Sequence, residues 1–464
     1  MANWQKVKIS QFLKERKSRY DPDDETVQGL KRLNKIDFSG EIHLSDKGSK
    51  TDMIIVESGD LVISGINVSK GALAVYRGDE PITATIHYSS YVFDERQIDI
   101  DYFKRFVRSQ SFVQALKDQV KGGIKTEIKS KHFLPLEIHL PDIESQKEIV
   151  SFFKRIEGEM GDLSGEISHQ QSFLKQLRQR ILQEAVEGKL TAKWREQYPD
   201  LISGDNHASK LLEKIKAEKE CLIKEGNTST KLGARLKKDS SRAQSRGKPL
   251  APISDDEKPF DLPAGWVWSK LGDVILHLPR NGYSPKEVAR ETSIKSLKLG
   301  ATTYGKFNPR EFKYIADEIP KDSVFWLEPE DILIQRSNSL DYVGVSAIYT
   351  GKSKEFIYPD LMMKIKIMRP LSVNLIYNFL SSTLVRDYFR SRAKGSQQTM
   401  PKINQGVVIN ASLPIPPIDE QTAIVERVDK LMGMIDKLEK QVSERKDQAQ
   451  MLMQSVLREA FAKG

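Results

Sequence analysis

The run Arg336-Ser337-Asn338-Ser339 follows a β-rich stretch and combines a forked cationic donor with one short amide and two hydroxyls. Such a set donates to phosphate oxygens and matches the donor and acceptor edges of bases, which is recognition chemistry rather than bond-making chemistry. The equivalent place in the first half holds Ser64, Asn67, Ser69 and Lys70. Two glycine-containing loops add Lys125, Thr126 and Lys129, then Ser396, Gln397, Gln398 and Lys402. Arg280, Asn281, Tyr283 and Ser284 place an arginine, an amide and an aromatic on one turn, and Lys17, Arg19 and Tyr20 form a similar group near the start of the chain. Singly, each has the composition of an ordinary surface loop; as groups they are candidate nucleic-acid contacts.

Bond-making chemistry is not legible. A methyltransferase needs a glycine-rich cofactor loop and an Asn/Asp-Pro-Pro-aromatic motif, but Pro-Pro occurs only at Pro416–Pro417, inside Ile-Pro-Pro-Ile. Gly351-Lys352-Ser353 ends like a phosphate loop, yet the first glycine of that motif would fall on Ser346. The seven histidines form no i,i+4 pair, and the single cysteine, Cys221, excludes a disulfide framework and a cysteine-rich zinc site. Pro359-Asp360 and Glu127-Ile128-Lys129 are fragments of a nuclease motif lying in different halves. The expectation is a chain with no catalytic residue, metal or cofactor of its own.

The elements that must position the loops come from a duplication. Residues 141–188 align without a gap on 416–463, with identities that include Pro141/Pro416, Gln146/Gln421, Gly158/Gly433, Leu177/Leu452 and Ala185/Ala460. Each copy carries apolar residues at alternating spacings of 4 and 3, the pattern of a coiled-coil seam. The first seam is Ile149, Phe153, Ile156, Met160, Leu163, Ile167, Gln170, Leu174, Leu177, Ile181. The second is Ile424, Val428, Leu431, Ile435, Leu438, Val442, Arg445, Ala449, Leu452, Val456. Both turn polar at the same place, Gln170 and Arg445, a device that fixes register or orientation. Each helix should run about 60 Å at 1.5 Å per residue. Two homodimer zippers would satisfy the pattern, but two matched seams in one chain favour an intramolecular antiparallel pair.

The preceding segments repeat more faintly. Trp4-Gln-Lys-Val7 matches Trp268-Ser-Lys-Leu271, Gly59-Asp-Leu-Val-Ile63 matches Glu330-Asp-Ile-Leu-Ile334, and Lys121-Gly-Gly-Ile-Lys-Thr126 matches Lys394-Gly-Ser-Gln-Gln-Thr399. Short β-branched runs alternate with helical stretches (Asp101–Asp118, Leu375–Arg392), so the fold class is α+β: two mixed domains and two long helices related by a pseudo-twofold repeat. The boundaries are 1–140 and 263–415 for the domains, 141–200 for the first long helix and its tail, and 416–464 for the second. Residues 201–262 form one helix and a basic linker, of which 225–262 should act as a tether.

The 464 residues carry a net charge of +9, with 39% hydrophobic and 30% charged residues. Residues 1–140 hold +2, residues 263–415 hold +7, and the long helices are near neutral. A polyanion is therefore expected on the domains. No apolar run approaches the roughly 20 residues of a spanning helix, and the segment MANWQKVKIS lacks a signal-peptide core, so a cytoplasmic protein is expected. Two diverged readers on a helical spacer suit a DNA target in two parts. A duplicated scaffold whose globular halves bind proteins is the competing reading, and a weak salt dependence of binding would favour it.

The chain resembles the specificity subunit of type I restriction–modification systems over nearly its whole length. The resemblance lies in the helix openings Leu140-Pro-Asp-Ile-Glu-Ser-Gln146 and Ile415-Pro-Pro-Ile-Asp-Glu-Gln421. It lies also in the helix end Ile181-Leu-Gln-Glu-Ala-Val-Glu-Gly-Lys-Leu190 with Thr191-Ala-Lys-Trp-Arg195, and in the domain entry Leu262-Pro-Ala-Gly-Trp266 with Leu271-Gly-Asp-Val274. It implies a non-catalytic subunit that binds an asymmetric bipartite sequence in double-stranded DNA, one part per target-recognition domain. Two methyltransferase subunits carrying S-adenosylmethionine would dock on the helices and flip an adenine from each strand. Two restriction subunits that use ATP and Mg could join them.

Overall fold

The computed structural model describes residues 4–119, 128–225, 250–395 and 400–461. Its contacts group into two compact units, Met1–Gln170 with Gln441–Gly464, and Gln171–Lys440.

In the first unit the strands Gln5–Lys8 and Glu137–Leu140 pair antiparallel, so the start and end of the first α+β domain are clasped together. Between them lies an antiparallel sheet of Leu13–Glu15, Tyr88–Phe93, Leu61–Ser64 and Leu73–Val75, in that spatial order. A second sheet orders Ile42–Ser45, Arg32–Ile36, Ile82–Thr85 and Met53–Val56, with one parallel pairing between Arg32–Ile36 and Ile82–Thr85. All four residues of Leu61–Ser64 are buried, as expected of a strand covered on both faces. Edge-to-face rings (Phe12/Phe103, Phe106/Phe112, Phe112/Phe133) fill the core. That core continues onto the long helix through Val150 and Phe153, and Val456 of the second long helix packs against it.

The second unit repeats the plan. Val267–Lys270 clasps Ser412–Ile415. One sheet orders Arg280–Asn281, Met362–Ile365, Ile332–Gln335 and Ser346–Ile348; the other orders Glu287–Val288, Phe312–Ile315, Ile294–Leu297 and Phe356–Ile357, again with one parallel pair. The faint sequence match at 59–63 and 330–334 is a structural identity. Gly59 and Glu330 both adopt left-handed backbone (φ 89° and 69°) and hydrogen-bond Tyr76 and Tyr349 respectively through their amides. The next residue in each, Asp60 or Asp331, is buried and accepts from the amide three residues earlier.

The helical runs differ from expectation in continuity. The stretch expected at Asp101–Asp118 is two helices, Ile100–Phe106 and Gln110–Gln119, the Ser109 hydroxyl accepting from the Phe112 amide at the break. Leu375–Arg392 is likewise Val373–Ser381 and Thr383–Arg392, interrupted by the extended backbone of Ser382.

The two long helices are Ile143–Val186 and Ile418–Phe461, each of 44 residues. Within the second unit they run antiparallel: Arg178 grips Glu439 with two bonds of 2.9 Å and pairs with Asp436, while Thr191 and Arg195, past the end of the first helix, reach Glu420 at the start of the second. The seam is only half covered. Phe153, Ile167, Leu174, Ile181, Ile424, Val428, Ile435 and Val442 are buried, and Ile149, Ile156, Met160, Leu431 and Val456 partly so. Leu163, Leu177, Leu438 and Leu452, expected in the seam, are exposed. The exposed leucines share one row of each heptad, and that row is covered only near the helix starts, where Ile149 packs on the domain core and Ile424 is buried.

Candidate nucleic-acid interface

Each α+β domain is fastened to its long helix by a buried glutamine. Gln146 accepts from the Asp99 amide at 2.9 Å and donates to the carbonyls of Gln97 and Pro141. Gln421 accepts from the Ser372 amide at 3.0 Å and donates to the Pro416 carbonyl. Asp99 and Ser372 are the N-caps of Ile100–Phe106 and Val373–Ser381, so each clamp ties a domain helix to the first turn of a spacer helix. In the second unit Glu420, fully buried, also accepts from Thr191 Oγ1 at 2.6 Å, Trp266 Nε1 at 2.7 Å and Arg195. The residue in its place in the first copy is Ser145.

On these frames the candidate loops gather at one end of the central sheet. In the second unit the Ile403 amide donates to the Arg336 carbonyl, Ser337 bridges to Lys402, and Lys402 pairs with Lys394. Arg336 Nη1 donates to the Asp360 carbonyl at 3.3 Å, and the Ser284 hydroxyl donates to the Asp360 carboxylate. The groups 280–284, 336–339 and 402 therefore meet around Asp360. In the first unit the Ile128 amide donates to the Gly65 carbonyl at 2.9 Å, the counterpart of the Ile403–Arg336 bond, and brings Lys129 beside the 64–70 loop. Lys17 and Arg19 line a surface depression with Tyr88, Ser89 and Ser90 at the same sheet end.

Not every expected contact is available. Ser64 is the last, buried residue of its strand, and Ser337, two residues past the end of Ile332–Gln335, is buried in an isolated bridge to Lys402 with an unpaired hydroxyl among the described residues. Neither can reach a base as placed. Arg280 and Asn281 form a short strand paired with Met363 and Lys364, so the turn begins only at Gly282. Asn338 is partly engaged, donating to Gln335 Oε1 at 2.7 Å. Arg19 is bound to Asp52, Tyr20 bridges Met53, and Tyr283 stacks on Phe325 and donates to Asp317. Asn67 forms its turn through backbone bonds to Lys70 and Ala72. Lys17, Lys70, Lys129, Asn281, Ser284, Ser339 and Lys402 are exposed. Lys125, Thr126, Ser396, Gln397 and Gln398 lie outside the described residues, as does the side chain of Ser69.

Beside these loops the structure adds residues that sequence reasoning passed over. Ile66, Leu340 and Met400 are exposed apolar side chains set among polar loop neighbours. An apolar group there can meet a thymine methyl, and the signal available in sequence was the lone apolar residue inside each polar run. The duplicated carboxylates behave oppositely. Burial raises Asp60, but hydrogen bonds from Arg16, Ser90 and the Glu57 amide outweigh it and leave the group below the ordinary range. Burial dominates at Asp331 and raises it despite Lys364 and Lys366. One cluster of possible metal ligands occurs among the described residues, Asp37, Glu41 and His43. Asp37 is already engaged by Ser39, the Glu41 amide and His43, which hold it well below the usual carboxylate range.

Two α+β domains of one plan, each clamped to a long helix and each gathering polar loops at one sheet end, define a duplicated two-domain protein built on paired long helices. Residues 263–445 match the family model described as the type I restriction modification DNA specificity domain. The specificity subunits of the EcoEI and EcoAI type I restriction enzymes of Escherichia coli are 28% and 30% identical to the chain over 266 residues, 56% of its length. The chain spans only 41% and 40% of those two relatives. A solved chain of a type I R-M system superposes with a TM-score of 0.57 over 99% of this chain and 97% of its own, at 15% identity, so the fold is shared. Residues 263–445 thus match the specificity domain of type I restriction–modification systems, and the chain is similar to the specificity subunits of those systems. Among the described residues, no helix is long and apolar enough to cross a membrane.

Proposed function

We propose that the chain recognises an asymmetric, two-part sequence in double-stranded DNA, one part per recognition domain, and lends that specificity to catalytic partners. The observation that carries this reading is the pair of loop clusters. Backbone bonds place them alike in the two units (Ile128 to Gly65, Ile403 to Arg336), while their side chains differ. Identical framing with different donors and acceptors is what two half-sites of different sequence require. Lys17, Lys70, Lys129, Lys402 and the Arg336 and Arg280 forks would position the domains on phosphates. Asn281, Ser284, Asn338 and Ser339 would read base edges, joined by Lys125, Thr126, Ser396, Gln397 and Gln398.

The exposed apolar row of the long helices fits docking of methyltransferase subunits, two by the symmetry of the repeat. Phe152, Leu163, Met451 and Leu452 belong to one unit and Phe173, Leu177, Met434 and Leu438 to the other. Exposed apolar side chains repeated along a helix in this way are what a partner surface would use. S-adenosylmethionine and the reacting groups would reside on those subunits, and any ATP-driven restriction subunits would join the same assembly.

The test is a methylation map. Co-expression with the methyltransferase subunit encoded beside this chain should place N6-methyladenine only at a split motif with a fixed gap. Exchange of residues 263–415 for another such domain should change one half-site and leave the other. A soluble complex that methylates nothing, or a swap that alters both half-sites, would overturn the proposal in favour of a protein-binding scaffold.

A further inference from the structure

We propose that the second recognition domain carries a phosphate-binding cleft formed by Arg280, Lys321, Lys354 and Lys366, which holds a phosphodiester of the duplex and has no equivalent in the first domain. This rests on the reading of the chain as a DNA-binding subunit. The cleft is a depression whose walls include those four cations, Lys364, and the carboxylates Asp322, Glu328 and Asp331. Asp331 holds Lys364 at 3.3 Å and Lys366 at 3.7 Å, and carbonyls fix both ammonium groups further: Lys364 to Trp326 and Lys366 to Pro329, each at 2.6 Å. Five cations thus face three carboxylates, and the buried Asp331 is already shared by two of the cations. Lys321 and Lys354 are exposed, and among the described residues neither ammonium group has an ion pair or hydrogen bond.

Lys354 is informative for a second reason. Its backbone is left-handed, with φ 55°, a conformation that glycine or asparagine adopts with less strain. A lysine kept at such a position points to a use for its side chain. The first domain shows what the same turn looks like without that use. The Tyr76 hydroxyl donates to the Glu80 carbonyl just as the Tyr349 hydroxyl donates to the Lys352 carbonyl, each at 2.6 Å, so the two turns correspond. Counted from the tyrosine, the first domain has Asp79 and Glu80 where the second has Lys352 and Ser353, with Lys354 the next residue. An anion favoured at one site is repelled at the other. The contrast also accounts for part of the difference between the +2 of residues 1–140 and the +7 of residues 263–415.

The test uses the full chain and a DNA duplex of mixed sequence, with Kd measured across a salt series. Lys321→Ala and Lys354→Gly should each weaken binding by about three- to tenfold irrespective of sequence, and each should lower the slope of log affinity against log salt by about 0.9. Lys354→Gly should at the same time hold or raise the melting temperature, since glycine relieves the left-handed backbone; a lysine with a purely structural role would lower it. Lys437→Ala removes the same charge from the long helix and should leave the slope unchanged. Equal slope losses from Lys437→Ala would make the effect one of net charge and overturn the cleft. Wild-type binding that the Lys321 and Lys354 variants reproduce would overturn the cleft alone, whereas a wild-type chain that binds no DNA at low salt would overturn the DNA-binding reading as well.

Discussion

Replacing Glu420 by alanine should be among the most damaging single changes to the second unit. Its carboxylate is fully buried and satisfies Thr191, Trp266 Nε1 and Arg195, whose side chain is itself only 13% exposed. Removing one partner of a buried pair strands the other charge, a loss of about 3–5 kcal/mol. The orphaned indole N–H would add to it, though less than additively because the groups share one site. Glu420→Gln keeps one acceptor oxygen, enough for Trp266 Nε1, and turns an NH2 toward Thr191, whose hydroxyl can accept, and toward Arg195, which loses its partner; about 2–3 kcal/mol is expected. Urea unfolding followed by tryptophan fluorescence reads this directly, because Trp266 is part of the node. In a melt, Glu420→Ala should lower the midpoint by roughly 6–20 °C at 2–4 °C per kcal/mol. The double variant Glu420→Ala with Arg195→Met should recover about 1–3 kcal/mol relative to the sum of the single changes, because no unpaired cation is left. A loss below about 1 kcal/mol for Glu420→Ala, or strict additivity of the two changes, would refute the node as a buried ion pair.

Three further outcomes follow from the same geometry. Gln421→Met keeps the volume but strands the Ser372 amide and the Pro416 carbonyl, and should cost about 2 kcal/mol in equilibrium unfolding; Gln146→Met should do likewise in the other unit, and the two effects should add. Ile435→Ala should cost about 2–5 kcal/mol and Leu438→Ala less than about 0.5, since only the first is buried, while capture of the methyltransferase subunit should show the reverse sensitivity. The third concerns acid: Asp60 has its folded pKa below the ordinary carboxylate value, so its stabilisation is present above that value and fades as the pH falls through the folded pKa. Asp60→Asn should therefore be less stable than the wild type near neutrality, with the gap closing under acid; a gap that widens in acid would reverse the sign and refute the assignment.

The long helices and the duplication were legible because their constraints are periodic or repeated. The gap-free match of 141–188 on 416–463 predicts two equal helices, and both have 44 residues. What periodicity could not tell is which row of each heptad the chain covers for itself. Leu438 and Ile435 are equally apolar and equally well spaced, and only the packing of a neighbour separates them. The loops were legible as groups through chain order, since each follows a strand of the repeated sheet. They were not legible residue by residue. Ser64 and Ser337 have the composition of contacts, yet Ser64 is still the last residue of its strand and Ser337 is drawn into an isolated bridge with Lys402, so both are buried. Glu420 was hidden because its partners, Thr191, Arg195 and Trp266, lie more than 150 positions away in sequence.

The pattern of what the two halves kept follows from what each residue binds. Gln146 and Gln421 contact backbone amides and carbonyls, which every substitution elsewhere leaves in place, so the same side chain serves in both copies. Glu420 binds side chains of the 191–195 tail and Trp266, and at the corresponding position of the first copy stands Ser145, a residue that instead donates its amide to Asp142. Asp60 and Asp331 lie between these cases: both accept a backbone amide, but Arg16 and Ser90 surround the first and Lys364 and Lys366 the second, and their pKa directions diverge accordingly. Where a contact is to backbone the identity persists; where it is to a side chain the two copies are free to part. The loops at the sheet ends follow the same rule: the backbone bonds from Ile128 to Gly65 and from Ile403 to Arg336 are common to both copies, while the side chains around them differ.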